Sequence, residues 1–454
     1  MEKGFYYTQS DLEKILRNAG SPKVAKRYSI SLPEKASMEQ MIRSLWFIPR
    51  DIVSDGYDAA LEALSSQIPM TIHEYPTGEE CFTWIIPEKW TCHEAYLQDL
   101  NGKRLFSYAD NPLHVVSYSL PFDGEVTREE LFNHLHVHPT LADAIPFVFK
   151  YYERDWGLCC SKKLKDKLTD ASYRVLIKTD FSYSTLKVGE IVTPGVSEEC
   201  FLLCAHLCHP GMVNDDLSGV VVGIEVMRAL LKRKKLNYTY RFIILPETIG
   251  SAAYLSHNQD LIPKMRSGLF LEMLARNHPH ILKLSLAGNT AFDKCIASVV
   301  TKRGSQAQVL DFFQPPLNDE RMFNAPGIRV PMLSLSRTLP QGGMYREYHS
   351  SFDTPENADF KSIEDSRDLV LEIIDAIEAI RLPRPKFKGE IFCSRFSKID
   401  YNSMRKQIFQ ITFWMDGKRS INDIAEQSGM SVEEVEKILN IMEKEGLVQW
   451  NVEK

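Results

Sequence analysis

Residues 204–219 read Cys-Ala-His-Leu-Cys-His-Pro-Gly-Met-Val-Asn-Asp-Asp-Leu-Ser-Gly, which puts His206, His209, Asp215 and Asp216 within a single short stretch. Neutral imidazole and carboxylate oxygen are donors that zinc favours, and metal-assisted hydrolysis needs such an ion to keep one position open for water. A lone histidine is more often a core residue. Two histidines and two aspartates this close together point to a metal instead. A thiolate zinc site does not fit, because neither Cys159-Cys160 nor the pair Cys204 and Cys208 has the C-x2-C spacing it needs. The nine cysteines are an odd number, scattered through the chain and several inside apolar runs such as 201–204. They read as buried free thiols of a reducing compartment.

Metal ligands on a loop need rigid elements behind them. The apolar run 200–205 predicts a buried strand that delivers His206, and 220–232 predicts the helix after the loop. Strands at 173–178, 240–245 and 268–274 alternate with a helix at 252–257, the signature of an α/β domain whose active residues lie at strand ends. The sheet should continue through 330–334 and close with a helix over 362–380. Before this domain, residues 8–64 have helical periodicity around 11–16, 38–46 and 57–64, and 69–118 break into short β-like runs such as 81–86 and 114–118. Arg381-Leu382-Pro383-Arg384-Pro385 marks a boundary through its two prolines. Beyond it, helices at 404–415, 421–427 and 431–445 and a closing strand at 446–450 suggest a winged helix-turn-helix, with Ser431 and Glu434 forming a capping box.

With segments 206–219, 246–251 (Pro-Glu-Thr-Ile-Gly-Ser) and 348–354 (Tyr-His-Ser-Ser-Phe-Asp-Thr), the sequence resembles the co-catalytic zinc aminopeptidases. More closely it resembles the bacterial aminopeptidase-like proteins, associated with polysaccharide biosynthesis, that carry an inserted lid and a C-terminal winged helix. The resemblance spans most of the chain. It implies an α/β fold with a mixed sheet flanked by helices, built from 1–68 and 141–383, an inserted β-rich lid at 69–140, and a winged helix-turn-helix at 390–454. The resemblance makes His206 the first metal ligand, Asp215 the metal-bridging carboxylate in a strained Asp215–Asp216 peptide, and His349 the last ligand. Glu247, directly after the apolar run 242–245, falls on the general base that takes a proton from water and passes it to the leaving amine. Glu272 falls on the distant acidic ligand, where the family commonly has Asp.

One departure bears on the metal count. Where the family has a second Glu as ligand, this chain has Thr248, and a hydroxyl is a poor substitute for a carboxylate on zinc. The alternatives are one zinc ion, a weak second ion, or a second ion held by Glu247 or His209. His209, Asp216 and Thr248 are therefore candidates either for the metal itself or for supporting its ligands. Asp319, Glu320 and Arg321, in the region where similar proteins recognise substrate, are substrate candidates together with Tyr348, and Arg337 and Arg346 offer guanidinium forks for a carboxylate.

The expected activity is hydrolysis of an amide or peptide bond in a small peptide, aminoacyl or N-acyl substrate, with a role in polysaccharide or cell-envelope biosynthesis. The alternative is a catalytically weakened metal-binding protein that serves as a binding module in a glycan pathway. Nucleic acid is not the expected partner: the net charge is −6, and residues 418–445 hold four basic against seven acidic side chains. The C-terminal module then reads as a packing unit, a route to a homo-oligomer. No apolar stretch reaches the length of a membrane span and the N-terminal residues are polar, so the expected location is cytoplasmic.

Overall fold

The computed structural model describes residues 28, 30–304, 306–339 and 343–451. The helix expected around 11–16 lies outside the described residues. Helix α1 (Met38–Leu45) starts at a capping box in which Ser37 and Gln40 exchange hydrogen bonds, and α2 (Asp55–Ser65) is capped by the Ser54 hydroxyl. Both turn their apolar stripe, including Met41, Leu45, Tyr57 and Leu61, into the main core.

Strand β1 (Thr71–Pro76) follows. Strands β2 (Lys89–Gln98), β3 (Arg104–Ser107), β4 (Phe122–Thr127) and β5 (Ser172–Ser182) form a separate antiparallel sheet in the order β3-β2-β5-β4. The chain then supplies β6 (Thr185–Thr193), β7 (Cys200–His206), β8 (Thr239–Leu245), β9 (Met265–Leu271), β10 (Ile281–Lys283), β11 (Gln308–Leu310) and β12 (Met332–Ser336). Among the described residues these seven join β1 in a mixed eight-stranded sheet of order β1-β6-β8-β7-β9-β12-β10-β11. Strands β8, β7, β9 and β12 are mutually parallel, and β6 and β10 pair antiparallel at either side. All seven residues of β7 are buried, as both faces of a parallel strand covered by helices require. The covering helices include α3 (Leu217–Leu230), α4 (Ile249–His257), α5 (Ala291–Arg303) and α6 (Phe360–Glu378).

Two boundaries expected from sequence move. Residues 71–76, expected in the small β module, pair with β6 in the large sheet. Residues 172–182, expected in the α/β domain, form a central strand of the small sheet between β2 and β4. The burial of β5 alternates, whereas that of β7 is continuous. Alternation marks a strand with one covered face but leaves open which sheet it joins.

The proline-containing segment expected as a break forms a short strand, Pro383–Pro385, that pairs antiparallel with Val448–Trp450. Between them lie helices Tyr401–Thr412, Ile421–Ser428 and Val432–Lys444, the last opened by the Ser431–Glu434 capping box. Ile408, Ile424, Leu439 and Met442 give this region its own core.

The parallel strands end together, which creates the site. His206 is the last residue of β7, Glu247 stands two residues beyond β8, and Glu272 immediately follows β9. Residues just outside the carboxyl ends of neighbouring parallel strands converge in space although far apart in sequence.

Candidate metal centre

The loop from β7 to α3 is held by main-chain and buried polar contacts. Asp216 caps α3 by accepting from Gly219 N at 3.0 Å, and the same oxygen accepts from Met273 N at 3.1 Å. Asn214 Oδ1 accepts from Ala275 N at 2.6 Å, and Ser218 Oγ accepts from Leu274 N at 2.9 Å. The loop is thereby fastened to the end of β9. Gly219 is needed there, since a Cβ would lie 2.3 Å from the Leu271 carbonyl oxygen. On the other side, Asp353 accepts from Asn214 N at 2.9 Å and Asp215 N at 3.1 Å, and Tyr345 donates to it at 2.8 Å. The Asp215–Asp216 peptide bond is cis.

Asp215 sits between two histidines. Its Oδ1 lies 3.1 Å from His206 Nε2 and its Oδ2 lies 3.1 Å from His349 Nε2. His209 approaches the same carboxylate at 4.0 Å through Nδ1, and its Nε2 lies 3.3 Å from Glu247 Oε2. Donor atoms of His209, Asp215 and His349 fall within 4.8 Å of one another, as do those of His206, Cys208 and His209. The buried Nε2 atoms of His206 and His209 have no aligned hydrogen-bond partner despite the nearby carboxylates. Buried donors that approach without hydrogen-bonding alignment are what a coordinated cation requires, so the residues fit a divalent metal.

The electrostatics agree with the geometry. Burial works to raise Asp215, but His209, His206 and His349 outweigh it and hold the carboxyl well below the usual range. For His206, burial works downward, and Asp215 and Cys208 overcome it to lift the imidazole well above its ordinary value. Burial would also raise Glu247, yet the close contact and charge of His209, with His206, hold it at about 2. Glu247 is thus a carboxylate at neutral pH, the form a general base needs.

The remaining sequence candidates divide by burial. Glu272 lies outside both donor groupings; its carboxyl accepts from Ser334 Oγ at 2.7 Å and Asn318 Nδ2 at 3.3 Å, and burial pushes it up to about 8. Asp216 is occupied as the helix cap, and burial holds its carboxyl well above the usual range. Thr248 has a left-handed backbone, φ 60°; its N–H donates to Asp319 Oδ1 at 2.8 Å, and its hydroxyl meets Arg321 Nη2 at 3.5 Å. Asp319 also accepts from Ser251, and burial raises it to about 7. Glu320 pairs with the buried Lys283 at 2.7 Å. Arg337 donates to Ser366 Oγ, the His278 carbonyl and Asp365. Asp319, Glu320 and Arg337 are buried and engage internal partners, although Asp319 Oδ2 is left without a hydrogen-bond partner. Arg321 and Arg346 are exposed. Tyr348 stacks on His349, centroids 3.9 Å apart.

Three contributors carry little local signal in the sequence. Arg50 is fully buried and donates to the carbonyls of Leu207 (2.8 Å), His209 (2.9 Å) and Met212 (3.0 Å), and to those of Leu45 and Trp46. Phe147 packs edge-on against His209 and His349, and its N–H donates to the His349 carbonyl at 2.8 Å. Asp353 lies in the quoted 348–354 segment, where its role could have been suspected.

The chain is similar to several known proteins. Residues 39–380 match the family model described as a domain of unknown function, DUF4910. The chain belongs to the DUF4910 family. A Clostridium acetobutylicum relative is 34% identical over 398 residues, covering 86% of this chain and 91% of the relative. It carries the provisional name of a polysaccharide biosynthesis protein with an aminopeptidase-like domain. A crystal structure of a provisionally assigned peptidase from C. acetobutylicum matches with a TM-score of 0.73 at 32% identity, covering 91% of this DUF4910 chain and 96% of that one. The zinc aminopeptidase BSAP of Bacillus subtilis matches with a TM-score of 0.54 at 15% identity, covering 76% and 95%. A peptidase M28 precursor from Shewanella amazonensis matches at 0.53 and 14%, covering 81% and 95%. The last two show that this DUF4910 protein has the aminopeptidase fold. Among the described residues no helix is long and apolar enough to cross a membrane.

Proposed function

We propose that this chain is a zinc-dependent hydrolase of the aminopeptidase type, cleaving an amide or peptide bond in a small peptide, aminoacyl or N-acyl substrate. The observation that carries the reading is the Asp215 carboxylate, with one oxygen 3.1 Å from His206 Nε2 and the other 3.1 Å from His349 Nε2. His206, Asp215 and His349 would hold the zinc, as one ion or two, with Glu272 completing the set. Glu272 is near enough for the Asp215 charge to raise its carboxyl. The chemistry that zinc would supply there is polarisation of the scissile carbonyl and a lowered pKa for water.

The protein's own side chains do the rest. Glu247, ionised and held beside His209, accepts the water proton and returns it to the leaving nitrogen. Asp353 and Asp216 fix the loop that carries Asp215. The name of the Clostridium relative supports a place in polysaccharide or cell-envelope biosynthesis.

The test combines zinc content with a screen of aminoacyl p-nitroanilides, dipeptides and N-acyl sugars. Wild type should bind zinc and cleave at least one substrate class. Glu247→Gln should keep the zinc and lose at least about a hundredfold in turnover, the usual scale for a general base. Full activity in that variant would refute the mechanism.

A further inference from the structure

We infer that Asp319 is a positioning residue for the base: reaching in from a distant loop, its carboxylate clamps the strained turn that presents Glu247. The inference deepens the hydrolase reading and rests on it for the role of Glu247.

Between the end of β8 and the start of α4 the chain has three residues, Pro246, Glu247 and Thr248. Strand end and helix start are pressed together: a Cβ on Gly250 would lie 2.7 Å from Leu245 Cβ and 2.8 Å from Pro246 Cδ. The reversal must be tight. Ile249 N donates to the Glu247 carbonyl at 2.7 Å across Thr248, which has φ 60° and ψ −55°. That is a γ-turn of the rare, strained form, centred at roughly φ +75° and ψ −65°. A β-branched residue at positive φ adds to the strain. Such a backbone persists only where its surroundings hold it. The Thr248 side chain does not help, because it makes no capping bond to α4.

Asp319 supplies the hold. Its Oδ1 accepts from Thr248 N at 2.8 Å and from Ser251 Oγ, so one oxygen grips the γ-turn and the first turn of α4 together. A carboxylate is also favoured at a helix N-terminus. Glu247 is then fixed through both of its flanking peptides, because Cys208 Sγ accepts from Glu247 N at 3.1 Å. Asp319 is itself anchored: its N–H donates to Asn318 Oδ1 at 2.8 Å, Asn318 N donates to Glu320 Oε1 at 3.0 Å, and Glu320 pairs with Lys283. Asn318 Nδ2 donates in turn to Glu272 Oε2 at 3.3 Å. Two adjacent residues of one loop thus hold Glu272, after β9, and the turn that carries Glu247, after β8, on either side of β7. Without the clamp Thr248 relaxes to negative φ, and Glu247, one residue earlier, moves with it.

The test compares full-length Asp319→Ala, Asp319→Asn and the double variant Asp319→Ala/Thr248→Gly with wild type. It reads zinc content, crystal structures, and kcat and KM on the aminoacyl p-nitroanilide that wild type cleaves best. Asp319→Ala should keep its zinc and its KM, show Thr248 at negative φ, and lose about a hundredfold in kcat, the scale of a displacement of about 1 Å at a reacting group. Asp319→Asn retains an acceptor for both donors and should recover most of that loss. Glycine takes positive φ freely, so the double variant should restore the turn and part of the turnover. A general loss of structure would lower zinc content together with kcat, and no glycine would rescue it. The clamp is refuted if Asp319→Ala keeps Thr248 near φ 60° with Glu247 unmoved, or if Asp319→Asn is as slow as Asp319→Ala. Should Asp319→Ala fail to fold, Asp319→Asn and the double variant decide in the same way. Wild type that cleaves no substrate refutes the hydrolase reading instead, and the crystal structures still decide the clamp.

Discussion

Arg50 offers a direct test of how the metal loop is held. Its guanidinium is 0% exposed and forms no hydrogen bond to a carboxylate; it donates instead to main-chain carbonyls, three of them on the loop at Leu207, His209 and Met212. Replacing it in Arg50→Met leaves the three loop carbonyls unpaired, at about 2 kcal/mol each, or about 6 kcal/mol together, before the donors lost at the Leu45 and Trp46 carbonyls are added. Against this stands relief of the buried charge. Burial, opposed by Cys208, Asp51 and Asp353, lowers Arg50 from 12.5 to about 10, and that fall corresponds to about 3 kcal/mol. The net loss should be at least about 3 kcal/mol. It should be accompanied by weaker zinc binding, since the loosened loop carbonyls lie in the chain between His206 and Asp215. Arg50→Lys should recover only part of either property, because an ammonium lacks the planar fork that reaches carbonyls on both sides. Denaturant unfolding and zinc titration measure the two effects. If Arg50→Met unfolds within about 0.5 kcal/mol of wild type and binds zinc normally, the carbonyl pairing contributes nothing and the reasoning fails.

Two further outcomes follow from other buried carboxylates. Asp353→Ala removes the acceptor shared by Asn214 N, Asp215 N and Tyr345, and should weaken zinc binding by about 10- to 100-fold, as measured by competition with a chelator. Glu190 accepts from His73 at 2.8 Å, Tyr254 at 2.7 Å and Arg241 at 2.6 Å, and these bonds overcome burial to hold its carboxyl at about 2. A folded-state value below the ordinary 4.5 stabilises the fold fully above about pH 4.5 and is lost as pH falls toward 2, an effect of about 3 kcal/mol. The stability gap between wild type and Glu190→Gln should therefore be constant from pH 7 to about 5 and shrink below about 4.5 in denaturant melts. A gap that is unchanged at pH 3 would contradict it.

Much of this protein could be read from residue type and order. The unbroken apolar run before His206, the helix after Asp216 and the strands before Glu247 and Glu272 follow from local periodicity, because a strand buried on both faces and a helix packed against it leave different patterns. The candidate donors His206, His209 and Asp215 were also visible, because imidazole and carboxylate at short spacing have few other uses. Sheet membership was not. Residues 71–76 and 172–182 each look like strands, and only pairing with β6, or with β2 and β4, assigns them to a sheet. Nor could the sequence say that Asp319, Glu320 and Arg337 face inward, since their partners Ser251, Lys283 and Asp365 are 28 to 68 residues away. The role of Arg50 depends most on tertiary structure. A guanidinium that pairs with main-chain carbonyls is defined by three-dimensional neighbours that no local spacing encodes.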